Sequence, residues 1–222
     1  MSEIKQSGIK PYFQDGGVVL YHGDNRDILP TLDAHDLLLT DPPYGIDADN
    51  PKRRMSRGKL VAPVAYVETA WDKEPADNAQ IALAKGLTRQ QIIWGGNYYD
   101  LPPSSCWLVW DKVNYGTHFA DCELAWTNLS KAVRMIKHQW NGMLRKGNEP
   151  RFHPTQKPLD VIQWCISLSP RSQSILDPWA GSGTTLVAAK ALGKTVTGIE
   201  QNERYCEITA KRLSQSFLHL EC

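Results

Sequence analysis

The chain has 222 residues, 41% of them hydrophobic and 22% charged, enough for a single domain with a sizeable core. No apolar run approaches the roughly 18 residues of a membrane span, and the polar opening MSEIKQSGIK lacks the apolar stretch of a signal peptide, so a cytoplasmic protein is expected. Cys106, Cys122, Cys165, Cys206 and Cys222 form no C-x-x-C pair, which argues against a disulfide framework and a zinc site, and no metal is expected.

The apolar run 18–24 reads as a strand closing on Gly23-Asp24. A second strand, 36–44, ends in Asp41-Pro42-Pro43-Tyr44. The segment 45–77 then loses all periodicity, holds Pro51, Pro63 and Pro75, and carries a basic cluster; long irregular stretches inside a domain are usually functional. A helix is predicted over 78–87, followed by strands over 91–97, 106–112 and 122–128. The region 131–156 is a second candidate insertion. Beyond it the pattern predicts a helix over 158–168, a strand over 174–181, a helix over 183–192, a strand over 195–200 and a helix over 202–213. Strands alternating with helices imply an α/β fold, a doubly wound, mostly parallel sheet whose ligands sit outside the carboxyl ends of the strands.

The net charge of +1 says little, but its distribution says more. Residues 47–60 carry five basic and two acidic side chains, and residues 131–151 carry six basic side chains against Glu149 alone. Two basic segments on an otherwise acidic body suit a polyanion partner, and equally suit solvated loops.

Asp177-Pro178-Trp179-Ala180-Gly181-Ser182-Gly183-Thr184-Thr185 leads from a strand into a helix. Gly181 and Gly183 let the backbone approach a ligand, and the helix start offers unpaired N–H groups. Lys190 lies too far along for a phosphate-binding lysine. Glu200 ends the next strand, where an acid can accept both hydroxyls of a ribose. Together these fit an adenosyl cofactor without phosphates.

In the tetrapeptide, two prolines stiffen the strand end and hold Asp41 at the lip of the sheet with the Pro42 carbonyl as a second acceptor. An aromatic amino group is a poor nucleophile because its lone pair is delocalised. Asp41 and the Pro42 carbonyl can take its two hydrogens and favour a pyramidal nitrogen, while Tyr44 stacks on a base drawn out of the duplex. A plain proline turn explains the Pro-Pro pair, but not the acid and the aromatic that flank it.

On these residues the chain resembles the amino-group DNA methyltransferases, whose signatures are Asp-Pro-Pro-Tyr and Asp-Pro-Phe-x-Gly-x-Gly-Thr-Thr; here Trp179 replaces the usual Phe. The tetrapeptide precedes the cofactor loop, as in the circularly permuted (beta-order) group. The resemblance implies a Rossmann-like class I methyltransferase fold, S-adenosylmethionine as cofactor and DNA as partner. It implies Asp41, Pro42, Pro43 and Tyr44 as the catalytic set. The cofactor would meet Asp177, Trp179, Gly181, Ser182, Gly183, Thr184 and Glu200, with Asp41 touching it as well. His153-Pro154-Thr155-Gln156-Lys157-Pro158 also matches, and His153, Thr155 and Lys157 would line the methionine end, while Asp24 would contact the adenine. The stretch from Trp94-Gly95-Gly96-Asn97 to Trp107–Lys112 resembles small phage and prophage members, so an orphan enzyme without a restriction partner is expected.

Asp before Pro-Pro-Tyr favours the 6-amino group of adenine. The alternatives are the 4-amino group of cytosine, an RNA substrate, and a catalytically silent DNA-binding module. DNA contacts are expected from Arg53, Arg54, Arg57 and Lys59 in one segment, and from Arg134, Lys137, Arg145 and Lys146 in the other. Trp107, Trp110, Trp126 and Trp164 read as packing, and Trp140, in a basic stretch, as the one tryptophan to consider for nucleic-acid contact. The sequence leaves the oligomeric state open between a monomer and a homodimer.

Overall fold

The structure, a computed structural model, describes residues 8–47, 72–117, 120–141, 144–145, 150, 152–153 and 155–215. Its strands are β1 (Phe13–Asp15), β2 (Val18–His22), β3 (His35–Thr40), β4 (Thr88–Trp94), β5 (Trp107–Asp111), β6 (Cys122–Thr127), β7 (Arg134–Lys137), β8 (Trp140–Asn141), β9 (Leu144–Arg145), β10 (Ser174–Asp177) and β11 (Thr195–Glu200). Its helices are α1 (Asn25–Ile28), α2 (Asn78–Gly86), α3 (Leu159–Ser167), α4 (Thr184–Ala191) and α5 (Glu203–Gln215).

Nine strands form one sheet in the order β1-β2-β11-β10-β3-β4-β6-β5-β7, and β8 and β9 form a separate antiparallel pair. The run β2-β11-β10-β3-β4 is parallel throughout, whereas β6 pairs antiparallel with both its neighbours. This is the mostly parallel, doubly wound sheet that the alternation of strands and helices implies.

The central strands show why both faces must be covered. In β3 the run Leu37-Leu38-Leu39 is fully buried, and its side chains alternate between two cores. Leu37 and Leu39 pack with Val161, Ile162 and Ile166 of α3, Leu186 and Ala189 of α4, and Cys206 and Leu213 of α5. Leu38 packs on the other side with Ile28 of α1 and with Ile81 and Ala84 of α2. Asp77 caps α2 with the reciprocal Gln80 contact of a capping box, which fixes where that helix starts.

Two sequence readings change here. Residues 134–137, read within an insertion, form β7, which lies parallel to β5 at the edge of the main sheet. Trp140, considered for nucleic-acid contact, is 6% exposed and belongs to the larger core, so it is a packing residue. Among the described residues no helix is long and apolar enough to cross a membrane.

Candidate active site

The chain turns in opposite directions from neighbouring strands at the centre of the sheet. β10 leads through α4 to β11 on one side, and β3 leads towards β4 on the other. A crevice opens at such a point, beyond the carboxyl ends of the strands. The structure has there a cavity of about 630 Å³, within the range of small-molecule sites. Its walls are the carboxyl ends of all five parallel strands: Gly23 and Asp24 after β2, Glu200 of β11, Asp177 of β10, Asp41 after β3 and Trp94 of β4.

The glycine loop forms the floor. Gly181 and Gly183 both take positive φ, +53° and +77°. A Cβ at Gly183 would fall 2.3 Å from Cγ2 of Thr209, so α5 packs directly on the loop. Glu200 is tied to the loop from the next strand, Oε2 accepting from the Gly181 N–H at 2.8 Å and Oε1 from the Asn202 N–H at 2.7 Å. A carboxylate has about four lone-pair positions, and with the Gln201 amide also acting on Glu200 at least one remains for a ligand hydroxyl. Burial raises its pKa to about 7 against the opposing pull of these amides. Burial likewise raises Asp177 to about 6, although Thr40 donates to it at 2.7 Å. Arg212 of α5 reaches the loop from behind, its guanidinium bonding the Ser182 carbonyl at 2.5 Å.

Asp24 caps α1, accepting the Arg26 N–H at 2.9 Å, and the Arg26 guanidinium lies 2.5 Å from its other oxygen. The hydrogen bond to Arg26 holds the Asp24 carboxyl below the usual carboxylate range. On the opposite wall the His153 ring stands 4.5 Å from that of Tyr205, and Thr155 donates from its N–H to His153 Nδ1 at 3.3 Å. The sequence-predicted cofactor residues Asp24, Asp41, His153, Thr155, Lys157, Asp177, Trp179, Gly181, Ser182, Thr184 and Glu200 all line the one cavity. Gly183 sits just behind them at the start of α4.

The tetrapeptide is held from both sides. Asp72, 1% exposed, accepts the N–H groups of Tyr44 at 2.7 Å and Gly45 at 2.9 Å through one oxygen. The Tyr99 hydroxyl lies 3.0 Å from the Pro42 carbonyl and 2.8 Å from that of Pro43. The Pro42 carbonyl therefore has one acceptor position engaged and one left. Tyr44 donates its hydroxyl to Asp41 in a short hydrogen bond and stacks on Tyr98, with ring centroids 4.9 Å apart and planes 12° from parallel.

Lys157 lines the cavity and is tied there to the tetrapeptide. Its ammonium, 5% exposed, lies 2.6 Å from Asp41, 3.0 Å from Glu123 and 3.2 Å from the Tyr44 hydroxyl. Lys112 closes on Glu123 from the other side. Burial raises Asp41 above the usual carboxylate range, with Lys157 opposing and Glu123 adding to the rise. Burial acts on Glu123 in the same sense, but Lys157 and Lys112 outweigh it and hold that carboxyl at about 2.

Asp72, Tyr99 and Glu123 carry no motif, and the sequence reading passed over all three, while Lys112 ends the stretch Trp107–Lys112 and was given no role there. The available signal was modest: an acid inside the otherwise apolar strand 122–128. Of the basic residues read as DNA contacts, Arg134 is exposed and Lys137 has a 65% exposed side chain. Arg145 belongs to β9, while Arg53, Arg54, Arg57, Lys59 and Lys146 lie outside the described residues. Among the described residues no cluster of His, Cys, Asp or Glu could hold a metal ion.

Gly95 sets the seat of Tyr44. It takes φ +67°, and a Cβ there would fall 2.1 Å from Cε1 of the Tyr44 ring. Gly95→Ala is expected to cost about 2 kcal/mol or more, from overpacking and from left-handed backbone. Thermal unfolding measures that cost, and an unchanged Tm would mean that Tyr44 has room to move.

Comparison with known proteins points the same way. The DNA methylase family of N6 and N4 methyltransferases is matched over residues 63–211. The type II methyltransferase M2.LlaDCHI of Lactococcus lactis subsp. cremoris is 27% identical over 266 residues, covering 97% of each protein. M.ScaI of Streptomyces caespitosus, another type II methyltransferase, is 28% identical over 270 residues, covering 96% of this chain and 86% of its own. Among solved structures, the M1.HpyAVI–SAM complex superposes with a TM-score of 0.56 at 21% identity, covering 88% of this chain and 98% of that one. The cytosine-N4-specific PvuII DNA methyltransferase gives 0.52 at 13% identity, covering 93% and 90%. The folds agree, and with the family matched over more than half its length, this chain belongs to the N6/N4 DNA methylases.

Proposed function

We propose that this DNA amino-methyltransferase acts on the 6-amino group of adenine, taken from the duplex as a flipped base. The observation that carries this reading is Asp41, a partly buried carboxylate on the wall of the cavity that also holds the glycine loop and Glu200. An Asp at the head of this tetrapeptide is the choice that favours adenine over cytosine.

S-adenosylmethionine, when bound, supplies an electrophilic methyl group on a sulfonium. The residues fit it. Glu200 keeps a lone pair for a ribose hydroxyl, Asp24 stands at the far end for the adenine, and no lysine or arginine of the glycine loop waits for a phosphate. His153, Thr155 and Lys157, which the resemblance assigns to the methionine end, lie along the wall of the cavity.

Asp41 and the Pro42 carbonyl would hold the two hydrogens of the target amino group and turn its lone pair towards the methyl carbon. When the amino nitrogen takes the methyl group, its surplus N–H proton would pass to Asp41 or to water. Tyr44 would stack on the base, and Tyr98 would shift from its present place to admit it. The rate would come from positioning and electrostatics, without a covalent enzyme intermediate. DNA would approach over the basic segments, with Arg134 and Lys137 among the phosphate contacts.

The test is transfer of labelled methyl from S-adenosylmethionine to mixed-sequence DNA, followed by nucleoside mass spectrometry. N6-methyladenine is expected. N4-methylcytosine would keep the mechanism and correct the base. No product from protein that binds the cofactor would overturn the DNA reading.

A further inference from the structure

The charges beside the cavity, Lys157 buried and the others partly so, alternate in sign: Asp41, Lys157, Glu123, Lys112. An ammonium has three donors, and that of Lys157 has three acceptors within reach, Asp41, Glu123 and the Tyr44 hydroxyl. Two of these belong to the tetrapeptide. Glu123 comes from β6, a different strand, and is fixed by the register that pairs it with Trp110 of β5. Its side chain is only a quarter exposed, so its charge acts at low screening.

Without Glu123, Lys157 and Asp41 would form a closed pair. A base amino group would then compete with a buried ammonium for a carboxylate already neutralised by it. With Glu123 present the ammonium is shared, and Lys157 keeps an anchor when Asp41 turns to the base. Lys112, lodged 4.9 Å over the Trp110 ring, balances Glu123 in turn. We propose that Glu123 is a positioning residue for methyl transfer: by holding part of the Lys157 ammonium, it keeps Asp41 available to the target amino group.

This inference rests on the acceptor role given to Asp41 and is indifferent to which base is methylated. The other ionisable groups facing the cluster are the Tyr44 hydroxyl, Tyr99 behind the proline carbonyls, with Asp72 and Tyr98 beside it, Asp177 across the cavity and the Cys165 thiol beneath Lys157.

The experiment compares pH–rate profiles of purified wild-type protein, Glu123→Gln, Glu123→Asp and Lys112→Met, with cofactor binding measured on each. Glu123→Gln leaves Asp41 alone with Lys157 and therefore less basic. Its kcat is expected to fall about tenfold or more, with cofactor affinity unchanged, and its acid limb to move down by about one pH unit. Glu123→Asp, which keeps the charge, should recover part of both effects. Lys112→Met frees Glu123 to draw Lys157 from Asp41, so its acid limb should move up.

Shifts of opposite sign support the proposal, since a merely structural Glu123 would lower activity without them. Acid limbs that stay in place overturn it, and so does full activity in Glu123→Gln. If Glu123→Gln fails to bind cofactor, the direction of the Lys112→Met limb decides. Asp41→Ala separates the two readings. Activity in that variant removes the acceptor role itself, while loss there with unmoved limbs removes only Glu123.

Discussion

Asp41→Ala is expected to lower methyl transfer by about a thousandfold or more while cofactor affinity stays within a few-fold. Removing one preorganised electrostatic group from a water-poor site typically costs ~10²–10³ in rate. In the proposed mechanism the lost group is also the acceptor that orients the nucleophile. The variant strands Lys157 as well, because one of its two carboxylate partners disappears from a buried site. Asp41→Asn keeps the shape and removes the charge; the Lys157 ammonium would hold the amide oxygen, so the N–H₂ would face the amino group of the base with the wrong polarity. Both variants should therefore be inactive, with Asn the better folded. Single-turnover transfer measures the chemical step, and calorimetry with S-adenosylmethionine measures the other half. A rate within tenfold of wild type in Asp41→Ala would remove Asp41 from the mechanism. A parallel collapse of cofactor binding would instead place Asp41 chiefly on the cofactor.

The parts of this site that were legible in the sequence are those that the backbone itself dictates. Two prolines after an apolar run can only end a strand, and two glycines before a helical pattern mark a close turn. Asp41, Gly181, Gly183 and Glu200 were read this way, and the structure brings Asp41, Gly181 and Glu200 onto one cavity with Gly183 directly behind. The sheet was legible for a similar reason. Leu37-Leu38-Leu39 is buried on both faces, and such a run between turn signals reads as a central parallel strand.

What escaped depends on pairing at long range. Glu123 stands 34 positions before Lys157, and an acid in CELAWT looks like any residue on the wet face of a strand. Only the fold places Lys157 over Trp94 and within reach of it. Asp72 serves the tetrapeptide from 28 residues away, through backbone N–H groups that no pattern announces. β7 escaped for the opposite reason: three of its four residues are exposed, so an edge strand of sequence RMIK shows no apolar alternation. Trp140 misled because basic neighbours in sequence are not neighbours in space; its ring lies in the core, 6.3 Å from that of His138.

Glu200 is expected to make cofactor affinity depend on pH across neutrality. Its pKa lies near 7, chiefly because it is buried, with the Asn202 and Gly181 amides opposing and Asp177 adding to the rise. Ribose hydroxyls donate to an ionised carboxylate and lose that acceptor when it is protonated. Affinity for S-adenosylmethionine should therefore be highest above about pH 7.5 and fall about tenfold per unit below about 6.5. The stability of the cofactor-free protein should run the other way. Glu200 and Asp177, at about 6, are raised above their unfolded values, so the native state binds the extra protons. The contribution is complete below about pH 4 and is lost as pH rises through 6 and 7. Glu200→Gln keeps the volume and an acceptor oxygen but discards the charge. It should weaken cofactor binding about 10- to 100-fold at pH 8, the range of a charge-assisted hydrogen bond, and flatten most of the pH dependence. What slope remains belongs to Asp177. Calorimetric titration from pH 5.5 to 8.5 on both proteins tests the affinities, and thermal unfolding of the cofactor-free protein from about pH 4 to 8 tests the stability. A wild-type affinity flat across that range would mean that Glu200 is already ionised at the low end, or that the ribose is held by another group. The two cases separate in Glu200→Gln, because only the second leaves its affinity at pH 8 unchanged.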